Sequence, residues 1–195
     1  MSAAAARNHR HRDAAKRILL LRCQLGDREA LAELVASYAD RLRSYVNFLT
    51  DHLDMSEDIT QEIWLAVLSR IATVRDPDAF DTWLYRVAHN TAVKLLKLKR
   101  YFRRLDDSIA AENHDDYEPD YVLDNLQHVG NCLEELQPHH REVLFLRYFE
   151  QKPMSYEQIS EVVGVSVGTV RSRIHYAKLK LKKLLERHQN NGSEQ

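Results

Sequence analysis

Glycine, proline and cysteine are scarce in this sequence, and each scarcity narrows what it can be. With five glycines and four prolines in 195 residues, and aliphatic side chains recurring at helical spacing, the expected class is all-α. A chain of this length can bury one ordinary core or two small ones. Cys23 and Cys132 stand far apart and match no metal-ligand spacing, which predicts two inert thiols in a reduced, cytoplasmic setting. Long apolar runs are missing too. The run ILLL at residues 18–21 is too short for a signal segment or a membrane span, so no membrane insertion is expected. Neither sign of charge dominates, since the formal net charge is -1; local segregation of charge therefore matters more than the total.

Residues 155–183, SYEQISEVVGVSVGTVRSRIHYAKLKLKK, organise the rest. Ser155 with Gln158 three residues on makes a capping box, and Pro153 sits where helix cannot yet run, so a helix is predicted from Tyr156. Ile159, Val162 and Val163 face inward, Gly164 supplies the positive φ that ends the helix, and Ser166 caps the next one. There Val170, Ile174, Ala177, Leu181 and Leu184 alternate in steps of four and three and form one buried stripe, opposite Arg171, His175 and Lys178. Short helix, glycine turn and longer helix with a basic outer face describe a helix-turn-helix, whose second helix enters the DNA major groove. The plainer alternative is a helical hairpin with a solvated charged face.

Residues 1–15 are alanine-rich and then basic and histidine-rich, without an apolar period, and are expected to be a disordered basic arm. His9 and His11 on such an arm make a poor metal site. Asp27 is set to cap a helix burying Leu31, Leu34, Val35, Tyr38, Leu42, Tyr45, Val46 and Leu49. Ser56 is expected to start the next, with Ile59, Ile63, Val67 and Ile71 inward and Asp58, Gln61, Glu62 and Leu65 on an outer stripe. That stripe is either an ordinary wet face or a docking surface for a basic partner. Asp76 as cap and Pro77 at the first helical position mark a third helix, in which Phe80, Trp83, Leu84, Val87, Ala88 and Thr91 share a face. It runs on into Lys94, Lys97, Lys99, Arg100, Arg103 and Arg104, interleaved with Tyr101 and Phe102, a composition suited to nucleic-acid backbone and base stacking. Residues 105–125 are then acidic without a lysine or arginine and are expected to be a flexible linker. The division is therefore an arm at 1–15, a helical domain at 16–104, the linker at 105–125, a second helical domain at 126–187 and a disordered tail at 188–195.

Three stretches carry a resemblance: DITQEIW at 58–64, FDTWLYRVAHNTA at 80–92, and from Leu136 onward LQPHHREVLFLRYFEQKPMSYEQIS with VGTVRSRIHYAKLKL. Together they resemble bacterial RNA polymerase sigma factors of the sigma-70 family, of the small extracytoplasmic-function (ECF) type, over nearly all of residues 25–187. The resemblance implies two domains, sigma regions 2 and 4, that bind core RNA polymerase and promoter DNA and carry no catalysis, cofactor or metal. It implies polymerase docking by Asp58, Gln61, Glu62 and Leu65. For the minus-ten element it implies Arg75, Asp76, Phe80, Asp81, Trp83, Asn90, Lys94, Lys97 and Arg100, the loop at 75–81 holding a base flipped from the stack. For the minus-thirty-five element it implies Ser166, Gly168, Thr169, Arg171, Ser172, Arg173, His175 and Lys178, with Arg173 on a phosphate. An anti-sigma factor is a further partner expected of the family. The sequence departs from the family in VRDPD at 74–78, which lacks the usual aromatic and glycine, and in Lys94 and Tyr176. The rival readings are a stand-alone helix-turn-helix regulator, and a helical enzyme using His139 and His140, for which no HExxH or His/Cys ligand spacing is present.

Overall fold

Helix ends are local hydrogen-bonding problems, and most of them are solved where the sequence places the caps. The computed structural model describes residues 3–50, 55–106, 130 and 132–191, with side chains over 13–50, 55–98, 130 and 132–187. Helix α1 spans Ala3–Gln24. It starts well inside the stretch expected to be a disordered arm at 1–15. The alanines at 3–6 are the best helix formers, and they extend a helix anchored further on by buried Leu20 and Cys23. Asp27 accepts hydrogen bonds from the backbone of Glu29 and Ala30 and opens α2, Arg28–Leu49. Helix α3, Ser56–Arg70, begins at Ser56 as expected; Met55 stands at the cap position without a side-chain cap, and Ser56 is buried. Asp76 accepts from the backbone of Asp78 at 2.9 Å, and Pro77 begins a short 3-10 turn, Pro77–Ala79, before α4, Phe80–Asp106. The expected linker beyond Asp106 lies outside the described residues, as do residues 126–129 at the start of the expected second domain.

The C-terminal region comprises α5, Pro138–Leu144, a π-type turn, Phe145–Phe149, then α6, Tyr156–Val163, and α7, Val167–Asn191. Both halves of the Ser155–Gln158 capping box form, and Gly164 takes φ +67°. The backbone there needs a residue without Cβ, so Gly164→Ala is expected to cost about 1–2 kcal/mol, read as a lower melting temperature by circular dichroism. Helix α7 continues to Asn191, past the expected start of the tail at 188.

Helices α2, α3 and α4 bury Leu34, Leu42, Val46, Ile59, Ile63, Val67, Phe80, Leu84 and Ala88 against each other. The two helical regions do not stay apart. Val143, Leu146, Ile159, Val162, Val170 and Ile174 join that same core, as α2 packs on α5 and α4 on α6. Phe48 lies against Phe145 and Phe149, with ring centroids 4.9 and 5.0 Å apart. Polar groups stitch the contact as well: Tyr45 donates to Glu142 at 2.6 Å, and His89 Nδ1 lies 2.6 Å from the same carboxylate oxygen. Tyr85 donates to Glu150, which Arg41 also grips, its Nε at 3.0 Å. Burial beside a carboxylate pushes the Tyr45 and Tyr85 hydroxyls well above their ordinary pKa, so they remain donors.

Candidate polymerase and nucleic-acid interfaces

The outer stripe of α3 is set by what the inner one buries. With Ile59, Ile63 and Val67 in the core, Asp58, Gln61, Glu62 and Leu65 all point to solvent. Leu65 is 62% exposed in the midst of these polar neighbours.

Next comes the loop before α4. Arg75 and Asp76 are exposed on it. Asp81 turns inward: Lys16 Nζ lies 2.8 Å from one carboxylate oxygen, and Tyr38 donates to the other at 2.7 Å. Burial alone would raise the pKa of this carboxyl, but Lys16, Tyr38 and Arg41 outweigh it and hold Asp81 below the ordinary carboxylate value. Its contribution to stability is therefore present above about pH 4 and is lost as pH falls through that lower value. Phe80 is 0% exposed, edge-on to Tyr38 and stacked on half-buried Trp83. The residues assigned to the minus-ten element thus separate into two sets. Phe80, Asp81 and Trp83 anchor the loop to the core, while Arg75 and Asp76 on the loop and Asn90, Lys94 and Lys97 along α4 face outward. Asn90, Lys94 and Lys97 follow each other in steps of four and three and so share one helix face. The side chain of Arg100 lies outside the described residues.

On α7 the Ser166 hydroxyl accepts from the backbone of Thr169 at 3.2 Å and pairs with its hydroxyl, making the cap. Ser172 donates to the carbonyl of Gly168 at 3.0 Å and leaves its oxygen able to accept. Arg171, His175 and Lys178 are exposed opposite buried Val170, Ile174 and Ala177. The Arg171 guanidinium lies 5.7 Å from the Tyr156 ring centroid, and Lys178 Nζ lies 4.6 Å from that of Tyr148. Arg173 is half-buried. Burial, then the charge of Arg173, lowers the pKa of His139, and His140 shifts the same way.

Sequence reasoning missed the polar contacts between the two regions, Arg41, Tyr45, Tyr85 and His89 with Glu142 and Glu150. The signal was there in part. A tyrosine on a helix's core face needs a partner for its hydroxyl, and Tyr45 stands on such a face.

Residues 34–104 match the family model of Sigma-70 region 2, and residues 132–183 that of Sigma-70, region 4. The RNA polymerase sigma-H factor of Pseudomonas aeruginosa is 32% identical over 181 residues, spanning 86% of this chain and 92% of that relative. The chain belongs to the sigma-70 family of RNA polymerase sigma factors. The ECF RNA polymerase sigma-E factor of Escherichia coli is likewise 32% identical over 177 residues, 83% of this sigma factor and 89% of its own length. Among solved structures, CnrH in complex with the cytosolic domain of CnrY aligns over 88% of this chain and 97% of its own, at TM-score 0.60 and 26% identity. The Bartonella quintana sigma factor RpoE, solved with the anti-sigma factor NepR, shares the fold over 80% of this chain and 96% of its own, at TM-score 0.65 and 21% identity. The helical regions 2 and 4 are thus those of an ECF sigma factor, a DNA-binding initiation factor. No helix among the described residues is long and apolar enough to cross a membrane.

Proposed function

We propose that this sigma factor, which directs core RNA polymerase to promoters, divides polymerase docking and promoter recognition between residues 16–104 and 126–187. The observation that carries the reading is that, on each region, one helix buries its apolar stripe and turns the residues of the family motif outward. In the first, Asp58, Gln61, Glu62 and Leu65 of α3 dock on the polymerase, and Arg75, Asp76, Asn90, Lys94 and Lys97 meet the minus-ten element. In the second, α7 lies in the major groove of the minus-thirty-five element. Arg171, Ser172 and His175 face bases, Lys178 lies along the same face, and Ser166, Gly168 and Thr169 hold the N-terminal turn near the backbone. Arg173 contacts a phosphate. Phe80, Asp81 and Trp83 act by holding the loop rather than by touching a base. Polymerase performs the chemistry, so the chain itself supplies no catalytic group, and it works in the cytoplasm. An anti-sigma factor is a further partner we infer; the Bartonella quintana RpoE of the same fold was solved with the anti-sigma factor NepR, and CnrH with the cytosolic domain of CnrY.

Run-off transcription from a promoter library, with core polymerase reconstituted with each variant, tests the division. Arg171→Ala is expected to cost roughly 1–3 kcal/mol and to relax preference at one upstream base pair, as loss of a bidentate contact to guanine does. Arg173→Ala is expected instead to weaken all promoters alike and to lower the salt slope by about one unit. Wild-type sequence profiles for Arg171→Ala would remove it from base reading. Failure of the wild-type protein to direct any promoter-specific transcript would favour the stand-alone regulator.

A further inference from the structure

The loop that meets the minus-ten strand in this reading is unusually acidic for a DNA-binding segment, with Asp76, Asp78 and Asp81 within a few residues of Arg75. Free carboxylates there would repel the phosphates of an incoming strand. Two of the three are paired with cations, and the third is tied to the backbone. Asp76 accepts from the backbone of Asp78. The other two are answered by α1, which runs beside the loop and touches it along its length. At the start of the loop, Gln24 Nε2 donates to the carbonyls of Val74 and Ile71, at 2.6 and 3.4 Å. In the middle, Arg17 grips Asp78 with two nitrogens, its Nε at 3.1 Å. At the end, Lys16 pairs with Asp81 at 2.8 Å, and Tyr38 of α2 takes the other oxygen of that carboxylate. Arg17 is also what holds the Asp78 carboxyl below its ordinary pKa.

We propose that Lys16, Arg17 and Gln24 are positioning residues for minus-ten recognition: α1 neutralises Asp78 and Asp81 and fixes the path of the loop, so that it presents Arg75 and Asp76 to DNA. The proposal rests on the assignment of this loop to the minus-ten element. It places specificity partly in a helix that touches no base, and it accounts for how VRDPD serves in place of the aromatic and glycine usual in the family. Backbone held at Val74 and side chains held at Asp78 and Asp81 leave the loop between them a narrow range of conformations, which is the condition for reading a flipped base.

The Arg17–Asp78 pair is suited to the test, because both side chains are more than half exposed and the pair contributes little to folding. Reconstituted holoenzyme carrying Arg17→Glu is expected to initiate roughly tenfold less on duplex promoters, the size of one lost base contact. Its affinity for core polymerase should be unchanged, and its minus-ten preference profile flattened. Arg17→Lys, which retains the charge, should recover most of the rate. The exchange Arg17→Asp with Asp78→Arg, which restores the pair with its polarity reversed, should recover both rate and profile. A merely structural role would not move the base-preference profile. Wild-type rate and profile for Arg17→Glu would overturn the proposal, as would failure of the exchanged pair to recover either. Arg75→Ala separates the two levels: a profile unchanged by this substitution would show that the loop does not read the minus-ten element, and the proposal would fall with that assignment. A changed profile for Arg75→Ala beside an unchanged one for Arg17→Glu would overturn the brace alone.

Discussion

Asp58→Lys combined with Glu62→Lys is expected to lower affinity for core RNA polymerase by about a hundredfold or more while leaving the sigma factor folded. Both carboxylates are exposed and lie across α3 from buried Ile59 and Ile63, so the core does not feel the change. The cost to folding has two parts. Exposed substitutions away from special features stay within about 0.5 kcal/mol. Asp58 also sits in the first turn, where a cation opposes the helix dipole by about 0.3–1 kcal/mol. The sum is small beside the several kcal/mol that like-charge juxtaposition imposes at a charged interface. Titration of labelled core polymerase gives the affinity, and circular dichroism gives the helicity. Wild-type affinity with wild-type helicity would remove α3 from the docking surface. A neutral control, Gln61→Ala, should bind within severalfold of wild type, because no charge is reversed.

Glu150→Ala carries the largest expected effect on stability. The Glu150 side chain is 1% exposed and accepts from both Arg41 and Tyr85, so its removal leaves a largely buried guanidinium and a buried hydroxyl without their acceptor. Breaking a buried pair on one side costs about 3–5 kcal/mol. At about 2–4 °C per kcal/mol for a chain of this size, the melting temperature should fall by about 6–20 °C. Removing all the polar partners together should cost far less. Arg41→Met with Tyr85→Phe and Glu150→Leu replaces the group by apolar surface of similar volume, an exchange that is often neutral. The single and triple variants compared by thermal unfolding decide the point. A single variant that melts with the wild type would mean that the C-terminal region does not pack on α2 and α4 in solution.

The parts of this protein that are legible in its sequence are those whose physics is local. A capping box needs residues three apart, and Ser155 with Gln158 forms one; a left-handed turn needs a glycine, and Gly164 is that glycine. Buried stripes need only the helical period, which is why Ile59, Ile63 and Val67 on α3, and Val170, Ile174 and Ala177 on α7, lie in the core as periodicity predicts. The outward stripes follow by subtraction, so periodicity alone puts Asp58, Glu62, Arg171 and Lys178 on the solvent-facing surfaces they occupy.

What the sequence by itself determined, then, is the all-α class, the starting points of α2, α3, α6 and α7, and membership of the sigma family through motifs that are themselves local strings. Tertiary structure alone decided which charged and polar side chains are spent inside the molecule. Asp81 reads as a loop acid facing DNA, yet its partners are Lys16 and Tyr38, 65 and 43 residues away. Glu142 and Glu150 meet Tyr45 and Arg41 across 97 and 109 residues, contacts that no local pattern states. A carboxylate's worth depends on what neutralises it within a few ångströms. Helical periodicity states which way a side chain points on its own helix, and only the packing of one helix on another states what it meets there.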